Sequence, residues 1–270
     1  MLKKFFIAAG TLLMVSFCVF PSAHAITMGT NITIPDGVSS GTGWYGGQED
    51  NEVEPGNVTS QVWDLEGFYL NGSKLAIVGG YNFILGVASG GKTYSSGDVF
   101  IDMNGDAVYG NSVPSNIQTS SGVTTISNSY YRYEYALDLS FATMTYAIYD
   151  IDNNDSLLSV YFDQNDRSNP WRSQSGGSFI GSGVISSGVL SAADALVYGL
   201  KGDAGNTVHY YIMVDLSFIG GKDFTSHFTM ECGNDDLMGR GHVKVPEPGS
   251  LLLLGFGIFA AAGTLRFSRK

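Results

Sequence analysis

Short runs of alternating apolar and polar residues, separated by turn residues every 8 to 15 positions, fill the middle of this chain. Alternation with a period of two marks half-buried strands, and no long stretch keeps the three-to-four spacing of a helix. Residues 26–34 alternate loosely and stop at Pro35-Asp36-Gly37. Residues 58–70 read as one long or two short strands. Asn71-Gly72, a two-residue hairpin turn, then sends the chain back along 74–79. Residues 98–102 form a short apolar strand ending at Asn104-Gly105-Asp106, and 130–139 with 143–150 predict a second hairpin. Further strands are expected over 157–162, 179–190, 207–219 and 226–232, with one helical turn at 191–194 capped by Ser191. The fold class expected is all-β: a single antiparallel β-sandwich, jelly-roll-like, over residues 26–244.

The two ends follow different rules. Lys3 and Lys4 precede an uncharged apolar run over 5–20, and Pro21 breaks it before Ala23-His24-Ala25. A charged start, an apolar middle and a small-x-small site make residues 1–25 a signal peptide, with Ala23 and Ala25 the positions signal peptidase reads. A lipoprotein would need a small residue before Cys18, where Phe17 stands. At the other end, Pro246-Glu247-Pro248 precedes an uncharged stretch, 251–265, which is followed by Arg266, Arg269 and Lys270. As a helix that stretch would reach about 22 Å, short of a hydrocarbon core of about 30 Å, a gap that bilayer thinning and snorkelling cations can close. The basic end favours the cytoplasmic side, placing everything before residue 245 outside, the orientation a signal peptide also requires.

A permanent anchor and a sorting signal share those physical features. The order Pro-Glu-Pro, short span, basic end closely resembles the PEP-CTERM sorting signal, residues 245–270 here. That resemblance implies recognition by exosortase, transient anchoring in the inner membrane through a transmembrane helix at 251–265, and delivery to the cell surface or extracellular matrix. Segments 46–55, 63–68, 96–102 and 227–235 are similar to a recurring type of PEP-CTERM surface protein. This second likeness implies one all-β surface domain and assigns it no reaction.

Composition narrows the partners. Residues 26–244 hold 24 acidic against 9 basic side chains, a net of −15, so nucleic acid and anionic lipid are repelled while divalent cations are attracted. Once residues 1–25 are removed, Cys232 stands alone, so no internal disulfide is expected and a buried, inert thiol is. His209, His227 and His242 show no zinc spacing. Gly37-Val38-Ser39-Ser40-Gly41 fits a nucleophile elbow only on paper, because no helix follows it. Glu66, Glu134 and Glu231 lie in or near strands, where a glycoside hydrolase would place its acid and base, but sequence gives no separation between them. Trp44, Tyr45, Trp63 and Trp171 offer flat faces for a sugar, or simply fill a core.

The most specific local chemistry is acidic. Asp98, then Asp102, Asn104 and Asp106 around Gly105, set oxygen-bearing side chains on one tight turn, half of a calcium loop. Asp150 and Asp152 repeat the idea after a later strand. The same residues also suit turns in which carboxylates bond their own backbone, and the sequence leaves both readings open. The function expected is therefore a non-enzymatic, exosortase-sorted surface or matrix protein associated with exopolysaccharide or biofilm and stabilised by Ca2+. The competing class is a secreted glycoside hydrolase on a β-sandwich.

Overall fold

Apolar residues at successive positions, rather than alternate ones, explain why this fold has more layers than its pattern suggests. The computed structural model describes residues 26–34, 60–114, 117, 122–161, 168–203 and 205–244. Its strands are β1 (Thr30–Asn31), β2 (Leu65–Asn71), β3 (Lys74–Gly79), β4 (Val87–Ser89), β5 (Lys92–Tyr94), β6 (Val99–Asp102), β7 (Gly122–Ser127) and β8 (Tyr135–Ser140). They continue with β9 (Thr145–Asp150), β10 (Ser156–Tyr161), β11 (Ser168–Ser175), β12 (Ser178–Val184), β13 (Ser186–Val189), β14 (Tyr210–Asp215), β15 (Asp223–Thr229) and β16 (Asp236–His242). Among the described residues one α-helix, α1 (Ala192–Tyr198), starts where Ser191 accepts a hydrogen bond from the Asp194 amide at 3.1 Å.

Every pairing is antiparallel, as expected of hairpin-connected strands. A five-stranded sheet runs β1-β2-β3-β14-β13 and a six-stranded sheet runs β12-β9-β8-β6-β15-β16. A three-stranded sheet, β11-β10-β7, and the β4-β5 hairpin complete the set. The largest apolar cluster takes Phe68, Ile77 and Val214 from the five-stranded sheet and Val99, Ile101, Leu137 and Phe228 from the six-stranded one. Phe100 and Ala136, one position away, point to the opposite face and pack with Tyr133 and with Ile126 and Leu157 of the small sheet. Tyr69, Ala76 and Val78 face outward from the five-stranded sheet onto Met28, Leu190 and Tyr198. Both large sheets are thus covered on both faces, and strands such as β3 (LAIV) and β6 (VFI) read as continuous apolar runs.

Several elements differ from what the pattern predicts. The strand expected over 179–190 is two strands: Ile185 turns into the core, its amide bonds to Met144 O at 2.9 Å, and the chain passes from the six-stranded sheet to the five-stranded one. β16 was not expected, because Gly239 and Gly241 look like turn residues. Glycine is needed there for closeness: a Cβ at Gly239 would stand 2.9 Å from Phe68 Cδ2, and one at Gly241 would stand 2.9 Å from Leu70 Cδ2. Among the described residues no helix is long and apolar enough to cross a membrane. The span expected at 251–265, the sorting residues Pro246, Glu247, Pro248, Arg266, Arg269 and Lys270, and the signal-peptide positions Ala23 and Ala25 lie outside the described residues.

Candidate functional site

The turn after β6 is built by side chains closing on the backbone. Asp102 Oδ1 accepts from the amides of Asn104 at 3.2 Å and Gly105 at 2.9 Å, and Asn104 Oδ1 accepts from Asp106 N at 2.8 Å. Gly105 adopts φ +82°, a conformation a side chain would strain. Sheet register then adds a partner from far along the chain. β6 pairs β8 with Ile101 opposite Tyr135, so Glu134 arrives beside Asp102. Glu134 accepts from Met103 N at 2.6 Å and from Asn104 Nδ2 at 2.6 Å.

Carboxylate oxygens of Asp102, Asp106 and Glu134 all lie within 4.8 Å of one another. Asp102 is buried, Glu134 half-buried and Asp106 exposed, so the group opens outward from a fixed base. Burial raises the Glu134 pKa first. The Met103 amide opposes that shift, while the neighbouring acids Asp102 and Asp106 add to it. Three hard oxygen donors this close repel unless a proton or a cation lies among them, and oxygen-only donor sets suit calcium.

Of the metal-candidate residues, the structure brings Asp102, Asn104 and Asp106 together and leaves the others elsewhere. Asp98 sits four residues upstream of Asp102, just before β6 begins, roughly 13 Å away for extended chain. It is buried, and its two oxygens accept from Leu139 N at 3.1 Å and Ser173 N at 2.9 Å, tying β8 to β11. Burial, then the charge of Asp138, pushes its carboxyl up to about 7 against the opposing pull of those two amides. Asp98 is therefore a clamp between strands. In the second acidic turn Asp152 Oδ1 accepts from Asn154 N at 2.6 Å and Asp155 Oδ2 accepts from Asp152 N at 2.8 Å. Asp150 is exposed, and this turn closes on itself.

The three candidate glutamates belong to three separate sets of partners. Glu134 serves the β6 turn. Glu231 pairs with Lys92 at 2.8 Å and accepts from the amide and hydroxyl of Ser95, which together hold its pKa below the usual range despite burial. Glu66 is buried against His209 Nδ1 at 2.5 Å and Gln61 Nε2 at 2.7 Å. Trp63 packs edge-on against Tyr94, and Trp171 is buried under the Arg172 guanidinium. Trp44 and Tyr45 lie outside the described residues. Cys232 packs against the main core with its thiol on Asn234 Oδ1, and burial pushes its pKa up to about 12.

One buried pair had no sequence signal. His227 Nε2 lies 2.9 Å from the carbonyl of Pro170, which can only accept, so Nε2 carries the proton. Nδ1 is then an acceptor 3.0 Å from Asp236 Oδ1. Burial lowers His227 to about 3 and raises Asp236 well above its ordinary value, so burial disfavours charge on both members of the pair.

A shallow groove of about 480 Å³ runs between β12 and the end of β14. Tyr146, Ser182, Ser186 and Ser217 give it hydroxyls, and its one acid, Asp215, is paired to Lys74 at 2.7 Å. No curated protein and no solved structure matches this chain. One protein-family model does match, over 27 residues beyond the end of β16. Residues 244–270 are a PEP-CTERM protein-sorting motif, in the C-terminal position expected of an exosortase substrate.

Proposed function

We propose that residues 26–244 are a non-enzymatic β-sandwich module displayed at the cell surface or in the extracellular matrix, where exopolysaccharide is its partner and Ca2+ steadies it. The carrying observation is the sorting motif at 244–270, which marks an exported surface protein processed by exosortase. Signal peptidase removes residues 1–25 after Ala25 in this reading. An apolar cluster drawn from both large sheets supports the sandwich. The acids favour holding over turnover: Glu66, Glu134 and Glu231 are each engaged by a different set of partners, and the open groove is lined by hydroxyls beside a neutralised ion pair. Hydroxyl-rich, weakly charged surfaces suit a neutral or acidic glycan better than the strongly acidic remainder would. The Asp102, Asp106 and Glu134 oxygens are the ligands proposed for calcium, which is abundant outside cells and binds such sites weakly.

Mass spectrometry of surface material from cells with an active exosortase tests the sorting. C-termini near Pro246-Glu247-Pro248 are expected, and recovery mainly of chains ending at Lys270 would refute it. A polysaccharide binding and turnover screen on the same exported protein tests the module. Binding without product is expected, and released oligosaccharide would favour the glycosidase.

A further inference from the structure

The fold guards some of its sheet edges and leaves others open. The outer side of β16 is occupied: Ile34 N bonds Met238 O and Arg240 N bonds Ile32 O, both at 2.8 Å. β1 is only two residues long. At the opposite end of the six-stranded sheet, β12 pairs β9 on one side, and among the described residues no strand pairs its other side. β13, which continues the same run, is likewise the last strand of its sheet.

This open edge lacks the usual protections. No charged residue and no proline stand between Arg172 and Asp194, in a chain of net charge −11. Lysines, prolines and inward charges are how exposed edges normally discourage pairing. Apolar side chains are exposed along it instead: Phe179 at 62%, Val184 at 71% and Val189 at 55%, with Leu85 at 73% beside β13. One protection is present, an irregularity at Ile180, but from Gly181 to Val184 the strand is in unbroken register with β9. The flanking groove adds only Lys74 and Asp215, which neutralise each other.

We propose that the β12 edge, Gly181–Val184, is a self-association surface on which a second copy lays its own β12 antiparallel. The charge pattern selects that occupant. Two copies carry the same net negative charge, and this strip is an edge on which they can meet without opposing like charges. An antiparallel strand pair about a two-fold axis presents the same residues from both sides, so the contact is closed at two. Its length is limited because Ile185 leaves the edge for the core, which favours a discrete pair over a fibre. The inference does not depend on where the protein is displayed.

The test is sedimentation of the exported protein over a concentration series, with reductant present so that Cys232 cannot bridge copies. A concentration-dependent dimer is expected in wild type. Ser182→Lys and Val184→Lys each place a cation and its symmetry-related copy on the shared edge, within reach of one another across the two-fold, and should weaken the dimer by about tenfold or more each. Val197→Lys, at an equally exposed position on α1, should leave it intact. Hydrogen exchange separates edge pairing from misfolding: amides of 181–184 should gain protection as wild-type concentration rises, and the Lys variants should keep protection elsewhere. Wild type monomeric throughout, folded Lys variants that dimerise as tightly, or a dimer without added protection at 181–184, would each overturn the proposal. So would a monomer whose edge captures a different partner.

Discussion

Asp98, just before β6, and Asp102, its last residue, are the same side chain in different company. Asp98 and Asp102 are four positions apart, hence on one face of the strand. Both are buried. At the first end, neighbouring strands bring two backbone amides, which satisfy the carboxyl and seal it in. At the second, the chain turns and register brings another acid, Glu134, alongside an exposed one, Asp106. Both aspartates accept from two backbone amides, those of neighbouring strands for Asp98 and those of its own turn for Asp102. What sets Asp102 apart is that two further carboxylates, Asp106 and Glu134, lie within 4.8 Å, the arrangement a cation would relieve.

The largest effect that sharpens this contrast is pH-dependent. The folded pKa of Asp98, about 7, lies above its ordinary value near 4, so the folded state holds a proton that the unfolded chain releases. Stability from this group is complete below about pH 4 and is lost as pH rises through about 7, at up to about 1.4 kcal/mol per pH unit. His227 works the other way, since its pKa is depressed: its contribution is present above about pH 6.5 and is lost as pH falls toward about 3. The two slopes oppose each other across much of the range, so the readout is the difference between wild type and Asp98→Asn. Denaturant melts at several pH values should show that difference shrinking or reversing as pH rises from about 4 to about 7. Parallel curves would show that Asp98 is ionised throughout and that the two ends of β6 are alike.

A smaller effect isolates the other end. Calcium at ten times its dissociation constant adds about 1.4 kcal/mol, which for a domain of this size raises the melting temperature by about 2–4 °C. Asp106→Asn combined with Glu134→Gln should abolish that response, and Asp98→Asn should retain it. A calcium shift that survives the double substitution would remove the site from the β6 turn. The smallest effect concerns the look-alike turn after β9. Asp152→Ala should cost about 0.5–1.5 kcal/mol for its lost backbone bond, and the loss should be the same with calcium or chelator.

Local chemistry in the sequence found the hairpins at 71–72 and between β8 and β9, the Ser191 cap, and three of the four residues around the β6 turn. Glu134 was legible as an acid in an alternating segment, but its place beside Asp102 depends on β6–β8 register, which no local signal encodes. Asp152 looked equivalent to Asp102 because both begin Asx turns, but Asp102 is buried and joined by Glu134, just before β8, whereas Asp152 is exposed. β16 was hidden by glycines that serve close packing against Phe68 and Leu70. The break at Ile185 was hidden because a strand that changes sheets keeps its alternation across the crossing. The His227–Asp236 pair joins residues on adjacent strands whose protonation is set by a carbonyl from a third segment.

The doubly bonded position of β16 has a mechanical meaning. It is the last strand before residue 244, where the sorting tail begins, so tension between body and tail enters the fold through it. One flank is laced to β15 along its whole length and the other to residues 32–34 near the start of the body. Drag on a tethered copy would therefore be divided between β15 on one flank and residues 32–34 on the other, so that segments from the two ends of the described body resist it side by side.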